Sequence, residues 1–490
     1  MDESEVELGL LEDDDVEMEE DEPMEELPEE KVEEEEEIDI DAENEEDELE
    51  SSNLQELLET GVNELEDPIR EFREKAVQAS SYDITPTVAI PMATSINACA
   101  FTSGLRWLFT GGEDGYIRKY DFAASVNGQL PLTVAQKHPF VDTIVNAGVL
   151  LNYFTNGYEV DKPSPVYSLA VHTQGLWALS GVNNGDIIMY STRHQEGYPI
   201  TSLKKHTAPV SILTLHSEER SVLSGSWDRD VHLWDLETGN VKATFSADSG
   251  QVSHIQYRPV PGTITGTESD DMESLFGSPV SRSPCESLFG EEEAKQKDEE
   301  KEPLSKDDKN QVTVSNDENT PEKQEEGNVF YSLYIDGILA LWDQRQPNVI
   351  SKYPVPKGVP PWAMSASWAV DGNSIFVGRR NGIVEEFNVH GPKEPVRVLR
   401  MPANSGPVSA VCPTPNGRYL VTGSYDNVRL YDLQKTSGIN FLIISGHHGG
   451  LVSTIFTEPS CRFMISASGN RGWEGTTTEA LLGYVINSNP

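Results

Sequence analysis

From Ile96 onward, apolar residues recur in short runs of five or six positions, largely alternating with small or polar residues and broken by Gly, Asn, Asp and Ser. Alternation of this kind places successive side chains on opposite faces of a strand, so the pattern predicts short strands joined by tight turns. The stretch Lys205 to Thr238 shows the unit most completely. His206 opens it, Pro209 to Leu213 starts one strand, and Ser221 to Ser226 makes a second. Trp227-Asp228-Arg229 then turns the chain into a third strand, Val231 to Asp235, ending in Trp-Asp.

That order of elements marks a WD40 repeat, one blade of a β-propeller. In such blades the turn acid, here Asp228, accepts hydrogen bonds from turn amides and from the histidine, here His206. The histidine reaches a strand serine, Ser224, which reaches the buried indole of Trp234. Left buried and unpaired, such polar groups cost roughly 1–3 kcal/mol each, so the four residues are expected to be a structural network and not a catalytic or metal site.

Six further units follow the same template. Blade one spans Ile96 to Phe122, blade two Val166 to Ser191, and blade four opens at Val252 and reaches its third strand only at Ile338 to Asp343. Blades five, six and seven run from Trp362, Val408 and Val452. Ends of successive third strands lie 44 residues apart from Ser191 to Asp235, 45 from Asp343 to Asn388 and 44 from Asn388 to Asp432, matching a repeat of about 40–45. Two intervals are longer: 70 from Asp121 to Ser191 and 108 from Asp235 to Asp343, excesses of about 26 and 64. Trp-Asp survives only at Trp234-Asp235 and Trp342-Asp343; elsewhere Tyr120, Tyr190, Phe387 and Tyr431 keep an aromatic at that place. The expected fold is an all-β, seven-bladed WD40 propeller over residues 81–490. The extended run near residues 83–90 would close it by completing the last blade, which removes exposed sheet edges.

Two regions break the strand pattern. Residues 1–50 are almost all Glu and Asp with scattered apolar residues, a composition that predicts a disordered acidic tail. Over residues 51–80, Leu54, Leu57 and Leu58 and then Ile69, Phe72 and Ala76 fall at helical spacing, with Asp67 placed as N-cap and Pro68 as first helical residue. Two short amphipathic helices are predicted, forming a docking segment against the propeller or another subunit.

Charge sharpens this division. Residues 1–67 hold 35 acids against one lysine, and residues 260–327 hold 19 acids against seven bases. Together they carry −46 of the net −47, leaving −1 on the remainder. The second acidic stretch has almost the length of the excess inside blade four, so one disordered insertion accounts for both. A near-neutral body with no basic surplus argues against direct DNA binding and for basic protein partners. Cys99, Cys285, Cys412 and Cys461 form no CxxC pair, so neither a zinc ribbon nor a disulfide framework is indicated. No secretory signal or membrane-length apolar run is read, and no membrane partner is expected. No metalloprotease, nucleophile-elbow or phosphate-loop motif occurs, so neither enzymatic activity nor a cofactor is expected.

Candidate contact residues fall into two groups. Within the insertion the pentapeptide ESLFG occurs twice, presenting Leu275-Phe276 and Leu288-Phe289 among acids, the composition of a short docking motif. Ser278 and Ser283, each before proline, are candidate phosphorylation sites that would add charge to it. On the ring, residues preceding each turn acid or amide should lie near one rim: Trp227, Arg380 and Tyr425, with Arg379, Arg471 and Trp473 nearby. Trp, Tyr and Arg are the types enriched in binding hot spots.

Two stretches carry a family resemblance. YDITPTVAIPMATSINACAFTSGLRWLFTGGEDGYIRKYDF, Tyr82 to Phe122, and SGNRGWEGT, Ser468 to Thr476, resemble the WD40-repeat subunit of the fungal SAGA transcriptional co-activator, the Spt-class subunit that works with TATA-binding protein. The acidic N-terminus and the acidic insertion with its SLFG element fit that family's layout. The resemblance implies a non-enzymatic nuclear protein that binds TATA-binding protein and regulates its delivery to promoters, alongside a histone-fold subunit. A purely structural scaffold and a histone-tail reader are the alternative expectations.

Overall fold

A computed structural model describes residues 68–159, 161–259, 327–435, 438–447, 449–458, 460–469 and 479–490. Among the described residues seven sheets make up the body, six antiparallel of four strands and one of five that is antiparallel but for one short parallel pairing. The first strand of each sheet lies against the first strand of the next, and that of sheet seven against that of sheet one, so these strands line a closed ring. This is the seven-bladed propeller that the repeat spacing predicts.

Strand alternation explains how the core is divided. In Asp230–Asp235, Val231 and Leu233 enter the apolar cluster shared with blade four, whereas Trp234 enters the one shared with blade two. The interior is therefore not one core but seven, each filling the seam between two neighbouring blades.

Size is matched across each seam. Near the end of the second strand, Gly111, Gly181, Gly225, Gly378 and Gly423 each face the valine that opens the next blade: Val166, Val210, Val252, Val408 and Val452. Two seams depart from this pair, one by inverting it and one by enlarging both members. Leu333 takes the glycine's place in blade four and shares a cluster with the small Ala363, while Ala467 of blade seven shares one with Ile96. Close packing of this kind leaves little room for an added methyl group.

Closure of the ring uses β1 (Ser81–Pro91), which pairs antiparallel with Ala480–Asn489 from Ser81↔Asn489 to Pro91↔Ala480. The register slips between Pro86 and Val88, as expected where a proline cannot donate to the ladder. Blade one adds a second fastening. Its third and fourth strands, Tyr116–Asp121 and Val149–Thr155, are separated by the extra residues of the long interval, and this strap crosses to blade seven. There Asn146–Ala147 forms a fifth strand parallel to β1, Thr143 Oγ1 donates to Pro86 O at 2.8 Å, and His138 Nε2 lies 2.6 Å from Gly446 O.

Helix α1 (Pro68–Gln78) precedes β1 and buries Ala76 against the seam of blades six and seven. Arg462 lies over the Phe72 ring at 4.3 Å, and Tyr82 Oη donates to Ala76 O at 2.6 Å. The Leu54–Leu58 helix expected before α1 lies outside the described residues, as do residues 1–67 and 260–326 altogether.

Candidate functional site

Antiparallel strands give the ring two faces. One carries the turns between second and third strands together with the linkers between blades; the other carries the connections between first and second strands. The network of blade three lies on the turn face. His206 Nδ1 is 2.8 Å from Asp228 Oδ2 and its Nε2 is 2.7 Å from Ser224 Oγ, to which Trp234 Nε1 donates at 2.8 Å. The amides of Thr207 and Asp230 donate to Asp228 at 3.0 and 3.1 Å. Burial alone would raise the Asp228 pKa, but the bonds from His206 and these amides outweigh it and hold it at about 2. His232 stacks on His206 at 4.3 Å. Burial, then the neighbouring His206 and Lys205, lowers its pKa to about 4. Each polar atom in this chain of contacts is engaged with another part of the blade, an arrangement that holds a turn in place.

Other blades solve the same problem with different residues. In blades one and six an arginine of the third strand replaces the histidine: Asp114 pairs with Arg118, and Asp426 with Arg429, whose Nη1 also donates to Ser424 Oγ at 2.8 Å. Blade four keeps the serine–tryptophan bond, Trp342 Nε1 to Ser332 Oγ at 2.8 Å, and its Asp336 accepts from Ser249 Oγ and, at 2.8 Å, from Gly250 N. The doublet His447-His448 supplies a buried His447 whose Nε2 is 2.9 Å from Gly450 O; His448 lies outside the described residues.

Arg379 corrects the reading of the rim. Expected near the surface, it is 1 % exposed and forms a buried ion pair with Glu385, Nη2 to Oε2 at 2.7 Å. Its Nη1 donates to Gly337 O at 3.0 Å, so one guanidinium ties blade five to the turn of blade four. Its position one residue earlier in the strand turns it inward, since neighbours in a strand face opposite ways.

Arg380, the next residue, does reach the turn face, where its guanidinium lies 3.8 Å from the centre of the Trp362 ring. Pro360, Pro361, Trp362, Arg380 and Asn381 line a shallow, mainly apolar cavity of about 250 Å³. Trp227 sits against Tyr167, ring centres 5.2 Å apart, and Tyr425 is exposed beside Gly406. Trp227, Arg380 and Tyr425 therefore share a face but stand in separate seams, each with its own neighbours. Tyr167 and the Pro360-Pro361 step are members of this rim that the repeat pattern did not single out; the two prolines just before blade five were the one available signal. Leu275, Phe276, Leu288, Phe289, Arg471, Trp473, Ser278 and Ser283 lie outside the described residues.

The opposite face holds a larger cleft of about 600 Å³ between blades three and four, lined by His216, Glu218, Arg220, Asp235, Lys242 and Gln344 among others. Its charges largely answer one another, Arg220 with Glu237 and Lys242 with Asp235. Burial pushes the thiols of Cys99 and Cys461 up to about 12 and raises that of Cys412, leaving them protonated and unreactive at neutral pH. Among the described residues no three His, Cys, Asp or Glu side chains are grouped to hold a metal ion, and no helix is long and apolar enough to cross a membrane.

Comparison with known proteins agrees with this architecture. Residues 82–487 match a family profile described as "SPT8 beta propeller". The chain is 60 % identical over 434 residues to the SAGA complex subunit Spt8 of Schizosaccharomyces pombe, covering 86 % of this chain and 82 % of that one. It is 38 % identical over 458 residues to SAGA complex subunit SPT8 of Saccharomyces cerevisiae, covering 84 % and 73 %. A more distant likeness, 27 % identity over 135 residues, links 27 % of the chain to 37 % of a guanine nucleotide-binding protein subunit beta of Dictyostelium discoideum.

Proposed function

The chain belongs to the Spt8 β-propeller family, and from that membership we propose that it is a non-enzymatic subunit of a SAGA transcriptional co-activator complex in the nucleus. Its task in this reading is to bind TATA-binding protein and regulate its delivery to promoters, next to a histone-fold subunit. The observation that carries the proposal is the 60 % identity to a protein named as a SAGA subunit, sustained over 86 % of the chain.

Charge supplies the physical route. The DNA-binding surface of a minor-groove architectural protein is basic and carries apolar wedges. The acidic segment with its two ESLFG pentapeptides, at Leu275-Phe276 and Leu288-Phe289, offers acids around apolar anchors. In this proposal it occupies that surface in place of DNA, and Trp227, Arg380, Tyr425, Arg471 and Trp473 serve as further contacts on the ring. Fold alone would not license the assignment, since propellers host many functions.

Retention of purified TATA-binding protein by the immobilised full chain tests the proposal. Saturable retention in the absence of other subunits is the expected result. A chain that retains none, or that retains only histone peptides, would remove it in favour of a scaffold or a histone-tail reader.

A further inference from the structure

The acidic insertion of blade four leaves the ring against blade five. Arg258, just before it, donates from Nε to Gly372 O at 2.7 Å and from Nη2 to Asn373 Oδ1 at 3.2 Å. Gly372 and Asn373 immediately precede the second strand of blade five, Ser374–Arg379, and Arg380 follows its other end. The point of departure and Arg380 are thus separated by the height of one six-residue strand, about 20 Å. From Pro259, the first ESLFG pentapeptide begins 14 residues on, at Glu273. Extended, that length of chain covers about 45 Å, enough to pass along the strand from one end to the other.

At the Arg380 end lies the shelf of Pro360, Pro361, Trp362 and Asn381. Its cavity of about 250 Å³ is smaller than the clefts of roughly 300–1,000 Å³ that enclose a drug-sized ligand; it is on the scale of one or two side chains. Trp362 is 42 % exposed, with the Arg380 guanidinium on its ring, a pairing of the residue types that dominate binding hot spots. The two prolines offer ring carbons and no N–H.

Charge around the shelf has one sign. Among the described residues no carboxylate lines it. The acids on the elements packed around it are engaged elsewhere: Asp336 of the blade-four turn accepts from Ser249 Oγ and Gly250 N, Glu385 is paired with Arg379, and Asp426 of blade six is paired with Arg429. The exposed Asp248 lies across the blade-four turn, in the linker that precedes that blade. Lys357, three residues before Pro360, is exposed and adds its charge to that of Arg380. The shelf therefore suits an apolar anchor with acids beside it.

We propose that the shelf is the docking place of the chain's own pentapeptide at residues 273–277, with Leu275-Phe276 on Pro360, Pro361 and Trp362, and with Asp270, Asp271 and Glu273 meeting Arg380 and Lys357. The inference rests on the reading of ESLFG as a docking motif given above and adds where that motif is held between partners. A segment tethered within reach is present at millimolar effective concentration. A contact with an intrinsic dissociation constant of about 100 μM then fills the shelf about nine times in ten. A partner that needs the released segment meets an apparent affinity about tenfold weaker, so the ring tempers the activity of its own insertion.

The test uses the full chain and a fluorescent peptide of residues 270–279, followed by anisotropy. TATA-binding protein is absent from it, so its failure and that of the proposed function are separate results. The variant Leu275→Ala/Phe276→Ala/Leu288→Ala/Phe289→Ala, which alters both pentapeptides, vacates the shelf and should bind the peptide about tenfold more tightly than the unaltered chain. Adding either Trp362→Ala or Arg380→Glu to that variant should weaken binding at least tenfold, whereas adding Val134→Ser, on the strap of blade one, should leave it unchanged. Equal binding by the unaltered chain and the fourfold variant, no binding by the fourfold variant, or indifference to both shelf substitutions overturns the proposal. Self-association of the unaltered chain that the fourfold variant abolishes also overturns it, because the segment then docks on a second copy.

Discussion

A β-carbon added to Gly225 would lie 2.5 Å from Cγ1 of Val252, the residue that opens the next blade. The missing side chain in one repeat is thus filled by the side chain of another, and the same exchange recurs around the ring. Gly225→Ala should therefore destabilise the protein by about 1–3 kcal/mol through overpacking, lowering its melting temperature. Val252→Ala introduced on top of it should recover part of the loss. Calorimetry of the single and double variants checks this.

The blade-three network predicts an asymmetry. His206→Ala leaves the carboxylate of Asp228 and the hydroxyl of Ser224 each short of a partner, a cost of roughly 1–3 kcal/mol for each group left buried and unsatisfied. Trp234→Phe removes a single donor and keeps the ring that fills the seam with blade two, so it should cost less. Denaturant unfolding of the two variants decides.

The ion pair of blade five allows a similar comparison. Arg379→Met strands the buried carboxylate of Glu385 and should cost about 3–5 kcal/mol. Adding Glu385→Leu should restore much of it, because the pair is removed together. If the double variant is as unstable as the single one, the bond from Arg379 to Gly337 O, not the ion pair, is what the blade needs.

Acid should weaken the fold in two steps. His232 has its pKa lowered to about 4 in the folded protein, against an ordinary 6.5, so the unfolded chain takes up a proton that the folded one refuses. Stability due to this group is complete above pH 6.5 and declines as the pH falls from 6.5 to about 4. Asp228, held at about 2, adds stability that is complete above its ordinary 3.8 and is lost between 3.8 and 2. Melting temperatures measured from pH 7.5 to 4 should show a first decline that His232→Gln flattens.

How much of this was legible in the sequence follows from how local each feature is. His206, Ser224, Asp228 and Trp234 fall within one repeat, so their types and order were enough to place them beside one another. Period counting located the extra residues of blade one, but not their path. Pairing of Asn146–Ala147 with β1 joins segments nearly sixty residues apart and leaves no mark in a local pattern. Arg379 and Arg380 read as a surface doublet. The partner that draws Arg379 inward, Glu385, sits on the facing strand, and only the register of that hairpin reveals it.

The central claim, that an acidic segment of this chain takes the place of DNA on TATA-binding protein, is tested most directly by one titration. Labelled TATA duplex bound to TATA-binding protein is challenged with the full chain and with the same chain lacking residues 260–327. The account predicts that the full chain displaces the duplex and that the deletion raises the concentration needed at least tenfold while leaving the ring folded. Equal displacement by both, or by neither, would contradict it.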